Sequence, residues 1–222
     1  MIEEIEKNIE KRYPELIVEL DKLNLYTDTA IKDIYTAELH KQGAERLKVY
    51  TRFLSIVNCA KTSIYLLHKF VTSENWEKEY YDKILNNSKY LGFLQDLDTD
   101  YRFLFFHQTF SQLETYIRLL YRELSMKTGE DPFSLITKLN VGFTGFLPTI
   151  EVLRNTIHNN GYYFPIRKQP ENFTLILSKE YQIKTGDSVQ LTWNDTFYIF
   201  KNVIDLITAL NKTNEVKNLK NI

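Results

Sequence analysis

The residues best suited to chemistry lie together in one short segment, Leu153 to Gly161 (LRNTIHNNG). Arg154 carries a permanent positive charge whose planar geometry suits phosphate, and His158, four residues later, is of the type that takes or gives a proton near neutral pH. Asn155 and Asn159 place amides beside them. A guanidinium and an imidazole on one helix could stabilise charge and move a proton during phosphodiester cleavage without a metal.

These polar residues border the apolar stripe of their helix. At about 100° per residue, Ile150 and Leu153 share the face expected to be buried, and Arg154 and His158 fall just beside it. A second surface packed on this strip would shield it from water and strengthen its charge effects. A structural interpretation stays open, in which Arg154 pairs with Glu151 or another carboxylate, Asn159 and Asn160 form turn contacts, and His158 caps the helix by bonding a carbonyl.

A second polar strip follows the aromatic-rich segment from Phe103 to Leu124, whose apolar residues recur in steps of three and four. This periodicity predicts a buried helix, with Glu114 and Arg118 beside its core face. If the two helices pack together, Glu114 could orient Arg154 or His158. The alternative is a surface ion pair between Glu114 and Arg118, worth only a few tenths of a kcal/mol.

Composition narrows the classes of protein. The chain has 222 residues, of which 43% are hydrophobic and 26% charged, and its formal net charge is -1, which suits a globular protein with no overall positive field. Any site for a polyanion must therefore be a local patch. The 4 histidines and the single Cys59 give no zinc-type spacing, so we expect no metal and no other cofactor, and a buried, unreactive thiol.

Two features of the sequence bear on where the protein is located. The first residues are acidic and amphipathic, unlike a secretory signal peptide. The longest uncharged run, residues 139 to 150, falls well short of the ~20 residues that cross a bilayer. With one cysteine and no such span, we expect a cytoplasmic protein without a membrane partner.

The elements that position the site are predicted to be mainly helical, because only 7 glycines and 5 prolines interrupt the chain. N-terminal helices are expected over residues 1 to 97, with a pause at Tyr13-Pro14. A second periodic stretch runs from Thr27–Thr29 to Val71 and is expected to break near Gly43. Between Ser73 and Thr99 the sequence indicates a shorter helix and a loop.

The second half contains the motif helix, predicted from Thr149 to Asn160 and ended by Gly161. Within residues 172 to 192, the segments 172–178 and 181–192, with Gly186-Asp187 as a turn signal, indicate a β-hairpin or a small meander. Thr192 and Asp195 resemble a capping box that begins a C-terminal helix. We expect this helix over 193 to 211, a frayed tail over 212 to 222, and one domain over the whole chain.

The segment from Asp98 to Gly161 resembles the HEPN superfamily, whose members are small antiparallel helical bundles with an Arg-Asn-x-x-x-His motif on a late helix. Arg154, Asn155 and His158 resemble this motif in a variant form, Arg-Asn-x-x-His, and residues 110 to 120 (FSQLETYIRLL) look like the family's earlier helix that brings a polar partner. The resemblance implies an HEPN-like core over 98 to 161.

The resemblance further implies a metal-independent endoribonuclease of a toxin-antitoxin or phage-defence system, acting as a homodimer on RNA with an antitoxin or another protein as partner. His158 would move protons, Arg154 would stabilise charge, Asn155 would hold phosphate, and Glu114, with Arg118, would support Arg154.

The motif also departs from the family's pattern. Three residues separate Arg154 from His158, whereas the family usually has four to six, so that Asn159 stands where the histidine would be. A non-catalytic scaffold that binds RNA or protein therefore stays open as the alternative. In it, the aromatic residues 162 to 164 would stack on a partner or, alternatively, pack under the hairpin.

Overall fold

The computed structural model describes residues 2–39, 43–71, 87–126, 131–143, 145–159, 161–165, 169–220 and 222. Over these residues the chain is mainly helical, with one antiparallel hairpin before the C-terminal helices, which confirms the predicted fold class. The elements are α1 (Ile2–Thr36), α2 (Glu45–Val71), α3 (Asn87–Glu123), α4 (Ser134–Lys138), α5 (Phe146–His158), β1 (Asn172–Ile176), β2 (Glu180–Lys184), α6 (Trp193–Lys212) and α7 (Asn214–Lys217).

The long helices pack side by side, and their contacts fix their directions. Helix α2 is antiparallel to α1, whereas α6 runs parallel to both α1 and α3. The pairs that show this are Asp21–Lys61 and Asn24–Asn58 for α1 and α2, Tyr26–Asp205 and Asp33–Lys212 for α1 and α6, and Asp98–Trp193 and Tyr116–Asn211 for α3 and α6.

Aromatic side chains fill the space where these helices meet. Phe105 of α3 packs against Phe197 and Phe200 of α6, and Phe53 of α2 meets Phe200 edge-on, with ring centroids 5.5 Å apart. Burial of such rings dominates core energetics. A buried polar chain joins the same helices: Tyr116 donates to Asn211 at 2.6 Å.

Two expected interruptions of the first helices are wrong. Helix α1 continues through Pro14, because Tyr13 and Leu16 on either side are buried in the core and hold this turn in place. It also continues through Thr27 and Thr29, whose hydroxyls donate to the carbonyls four residues earlier instead of ending the helix. The break comes between Thr36 and Glu45, close to the predicted Gly43.

Helix α3 is longer than expected. It begins at Asn87, inside the segment interpreted as a short helix and a loop, while residues 73–86 of that segment lie outside the described residues. The prediction for Cys59 is also wrong, because its thiol is exposed. Cys59 faces away from the stripe of α2 that buries Phe53, Val57 and Ile64.

The hairpin lies within the predicted segments 172–178 and 181–192, but its strands are shorter. Residues 177–179 connect β1 to β2, and Leu175 lies opposite Tyr181. Gly186, with φ of +87°, makes a second turn, which returns the chain so that Ser188 bridges to Tyr162. The residues 189 to 192, expected to belong to the second strand, form no strand.

The capping box and the final helix are confirmed. The Thr192 hydroxyl accepts from the Asp195 backbone N–H, and the Asp195 side chain accepts from the Thr192 backbone N–H. Asp195 is fully buried and also accepts hydrogen bonds from Ser178 and Tyr181 of the hairpin. The cap therefore joins the hairpin to α6.

The expectation of a frayed tail is wrong for the described residues. Helix α7 buries Val216, and Ile222 is buried as well. The fully buried Arg46 of α2 donates to the carbonyls of Leu39, Val216 and Leu219. These bonds fasten the tail to the bundle. None of the helices in the described part of the chain has the length and apolar character needed to cross a membrane.

Candidate functional site

Helix α5 holds the motif in a fixed orientation. Ile150, Val152 and Leu153 are buried, so that the polar positions face outward beside this core face. The buried hydroxyl of Thr149 accepts a hydrogen bond from the backbone N–H of Ile176 at 3.0 Å, which ties α5 to β1.

The end of α5 is set by Gly161. Its φ of +88° is in the left-handed region, as predicted, and its N–H donates to the Thr156 carbonyl at 2.9 Å. A glycine in this conformation satisfies the last carbonyls of a helix at little cost. The last turn of α5, with His158 at its end, is thereby closed.

An ion pair joins the two polar strips. The guanidinium of Arg154 lies 3.7 Å from one carboxylate oxygen of Glu114 on α3. The other oxygen of Glu114 accepts from Arg118 at 2.7 and 3.1 Å. Both sequence-based interpretations of Glu114 therefore hold at once, since it pairs with Arg118 along its own helix and with Arg154 across the helix interface.

A buried aromatic platform lies beneath Arg154. Its guanidinium carbon is 5.4 Å from the ring centre of Phe110, which is itself stacked on Phe133. A cation over an aromatic face is attracted to it, and planar arginine suits this contact well. Phe110 and Glu114 are four residues apart on α3, so one face of that helix supplies both the ring and the carboxylate.

Glu151 adds a second carboxylate near Arg154. Burial raises the pKa of Glu151, the negative charge of Asp131 raises it further, and the positive charge of Arg154 partly opposes this rise. The site therefore holds two guanidiniums and two carboxylates in unequal environments. Arg154 is 44% exposed and Glu114 18% exposed, which leaves the cation accessible and the carboxylate largely covered.

The remaining predicted site residues lie on the same helix end. His158 is exposed as the last residue of α5, and Asn155 and Asn159 are half-buried. No side-chain hydrogen bond or ion pair of these three is found within the described ranges. The structure thus brings Arg154, Glu114 and Arg118 into one cluster. His158 lies one helical turn from Arg154 and has no side-chain partner among the residues that the structure describes.

Sequence reasoning missed the aromatic platform and the influence of Asp131. Phe110 was assigned to the core stripe, where it does lie, and a helical pattern alone does not reveal that a cation sits on its ring. Asp131 belongs to the connection before α4, and no periodicity relates it to α5. The aromatic residues 162 to 164 divide: Tyr163 is buried, whereas Tyr162 and Phe164 are exposed.

Comparison of the chain with protein-family models, with curated proteins and with solved structures finds no match. Across the described residues, no group of three or more His, Cys, Asp or Glu side chains is arranged to hold a metal ion. The function of the site is therefore inferred from the chemistry of its own side chains.

Proposed function

We propose that the protein is an HEPN-like, metal-independent endoribonuclease in which Arg154 and His158 act on a phosphodiester of RNA. The observation that carries this proposal is the state of Arg154: its guanidinium is held by Glu114 and by the ring of Phe110, yet 44% of its side chain is exposed. A cation that is both fixed and accessible costs little reorganisation when negative charge develops on a bound phosphate.

The chemistry follows the substrate's own 2′-hydroxyl. Its oxygen attacks phosphorus as a base removes its proton, a new O2′–P bond forms, and the P–O5′ bond breaks. The leaving 5′-oxygen takes a proton from an acid. The products are a 2′,3′-cyclic phosphate and a 5′-hydroxyl, and no water is consumed. DNA lacks the 2′-hydroxyl and is not cut.

Each residue of the site has its own role in the proposed reaction. His158, exposed at the end of α5, moves the proton, because imidazole can act as acid or base near neutral pH. Arg154 stabilises the charge on the phosphate oxygens, and Asn155 holds the phosphate. Glu114 positions Arg154 and, with Arg118, keeps its guanidinium in place.

One imidazole serves as base or acid at a given moment, and the reaction needs both. A symmetric homodimer that brings two copies of α5 together supplies the second His158. We place this dimer in a defence or toxin-antitoxin type system, where an antitoxin or another protein would cover the exposed motif until the enzyme is needed.

The test is cleavage of labelled single-stranded RNA at neutral pH in EDTA. Wild-type protein is expected to cut RNA and to leave DNA of the same sequence intact. His158→Ala and Arg154→Ala are expected to lower the rate by about 100-fold or more, with unchanged thermal unfolding. Lys184→Ala, which removes an exposed cation from the hairpin, is the matched control and is expected to cut normally.

A non-catalytic scaffold is the second candidate, and one observation favours it. Asn159 occupies the position at which the family's motif has its histidine, and Tyr162 and Phe164 beyond it are exposed. Exposed aromatic rings stack on unpaired bases without sequence preference. Wild-type protein that binds RNA in the assay but never cuts it would favour the scaffold over the enzyme.

A further inference from the structure

A groove lined with arginines runs between α2 and α3. Its wider end has a volume of about 490 Å³ and is lined by Arg52 of α2 and by Gln112, Arg118 and Arg122 of α3; we call these four residues the arginine groove. A second depression, of about 440 Å³, continues from it, sharing Arg52 and Gln112 and adding Ser111 and His107. The two depressions share part of their lining and lie side by side along α3, and their surfaces combine polar with apolar groups.

The positive charge of this groove is accessible to an anion. Among the residues that line the groove, three are arginines and one, Glu45, is acidic and is paired with Lys48 at 2.5 Å. Arg118 and Arg122 are paired with Glu114 and Glu123 beside the groove, which leaves a local excess of one cation, Arg52, on a chain whose net charge is -1. Arg52 has no ion-pair partner among the described residues, so at least one guanidinium of the groove is free to meet an anion.

The other two arginines are paired only at the surface. Arg118 with Glu114 and Arg122 with Glu123 leave 59% and 73% of the arginine side chains exposed. Such exposed pairs contribute little stability, so a phosphate can replace or share the carboxylate at low cost. Uncharged donors and acceptors lie between the cations, including Gln112, whose buried carboxamide oxygen has no hydrogen-bond partner within the described ranges.

Arg118 connects this groove to the candidate site. Glu114, Arg118 and Arg122 are successive fourth residues of α3 and therefore form one row on its surface. Glu114 contacts Arg154 at one end of the row, and Arg122 lines the groove at the other. A chain of phosphates laid from the groove along this row would reach Arg154 beside Glu114, whose carboxylate is already paired with Arg118 and Arg154.

We propose that the arginine groove binds the phosphodiester backbone of single-stranded RNA and guides the strand to Arg154 and His158. This inference rests on the proposed function for the identity of the ligand. Guanidiniums contact phosphates in two-point geometry whatever the base, so the groove supplies affinity without sequence preference.

The test measures binding separately from cleavage. Fluorescence anisotropy of a labelled single-stranded RNA of about 12 nucleotides is followed in EDTA between about 50 and 200 mM salt. All proteins carry His158→Ala, so that the RNA stays intact. The test protein adds Arg52→Gln and Arg122→Gln, and the matched control adds Arg12→Gln, an exposed arginine of α1 outside the groove.

The double substitution is expected to weaken binding about 10-fold or more at the lowest salt, since two charge-assisted contacts are lost. It should also lower the slope of log affinity against log salt by about 1.4, or 0.7 for each lost phosphate contact. Arg12→Gln should change neither. Replacing both groove arginines with lysine keeps the charge and should retain most of the salt slope.

The proposal that the arginine groove binds RNA would be overturned if the double variant kept the affinity and the salt slope of the parent protein, or if the parent protein did not bind RNA. The proposed function has a separate test. If the wild type never cuts RNA but the groove variants lose RNA binding, the groove is an RNA-binding site and the protein is not a ribonuclease. Circular dichroism and thermal unfolding check that the variants fold, as expected for exposed side chains.

Discussion

The guanidinium of Arg154 on α5 lies 3.7 Å from the carboxylate of Glu114 on α3, and this pair makes one site out of two separate helices. Each helix already places its polar residue beside its own apolar stripe. Packing of the stripes then brings the polar strips together at the edge of the core. The same packing puts the ring of Phe110 under the guanidinium.

Glu114→Gln is predicted to separate activity from stability. Glu114 pairs with Arg118 and Arg154, whose guanidiniums are exposed, and each such surface pair is worth less than about 1 kcal/mol, so the unfolding midpoint should move little. An unfixed Arg154 should lower kcat for RNA cleavage about 10- to 100-fold, with a smaller change in KM, because poor orientation mainly affects the transition state. Glu19→Gln, which breaks a surface pair with Lys22 on α1, is the control and should leave kcat unchanged. An unchanged kcat in Glu114→Gln would remove Glu114 from the site.

The protein is predicted to form a symmetric dimer in solution. Light scattering should give about twice the chain mass of 26.4 kDa at micromolar concentration. Cross-linking through a cysteine introduced at Asn159, in a Cys59→Ser background, should join the two protomers near the motif. A monomer at high micromolar concentration would contradict the two-imidazole mechanism.

Asp195→Asn is predicted to loosen the hairpin from α6. Burial raises the pKa of Asp195, but hydrogen bonds from Ser178, Thr192 and Tyr181 outweigh burial and hold the pKa below its ordinary value. Replacing the carboxylate should cost about 1–3 kcal/mol of unfolding free energy at neutral pH. Because the pKa of Asp195 is lower in the folded state than the value of about 3.9 in the unfolded state, the ionised carboxylate stabilises the fold above about pH 3.9. This stabilisation is lost as the pH falls through the folded-state pKa.

The deficit of Asp195→Asn should therefore be largest near pH 7 and should shrink below about pH 4. Urea unfolding near pH 7 and below about pH 4 measures this loss of unfolding free energy. Asp21→Asn, which removes a half-exposed partner of Lys61, should show a deficit below about 1 kcal/mol. An equal loss for Asp195→Asn at both pH values would show that shape, and not charge, sets its contribution.

Gly43→Ala is predicted to displace the tail. A Cβ atom at this position would overlap the backbone of Ile222, which is itself buried. The clash should lower the unfolding free energy by about 1–3 kcal/mol. Gly145→Ala is the matched control, because its Cβ would meet a side-chain carbon of Ile176 at an ordinary 3.7 Å. Equal stability of the two variants would contradict the packed tail.

Much of the helical architecture was predictable because periodicity and capping are local signals. The stripe from Phe103 to Leu124, the Thr192 cap and the stop at Gly161 each depend on residues within a few positions of one another, and each is found in the structure. The polar strips were predictable for the same reason. Their meeting at Glu114 and Arg154 was a hypothesis that packing satisfied.

The misjudged elements depend on partners distant in sequence. The tail looks frayed because its polar residues give no hint that Arg46 binds the carbonyls of Val216 and Leu219, 170 and 173 residues later. The second predicted β segment is longer than β2 because local strand propensity does not show that residues 189 to 192 lack a partner strand. The helix was expected to pause at Pro14 because proline alone weakens a helix, but burial of the neighbouring residues maintains it.

In the proposed reaction, His158 transfers a proton during cleavage that uses the 2′-hydroxyl of RNA. Mass spectrometry of the products formed from a defined RNA in EDTA tests this directly. Wild-type protein is predicted to leave 2′,3′-cyclic phosphate and 5′-hydroxyl ends, and His158→Ala is predicted to leave the RNA uncut. Fragments with 5′-phosphate ends, or the same cyclic products from His158→Ala at the wild-type rate, would contradict the account.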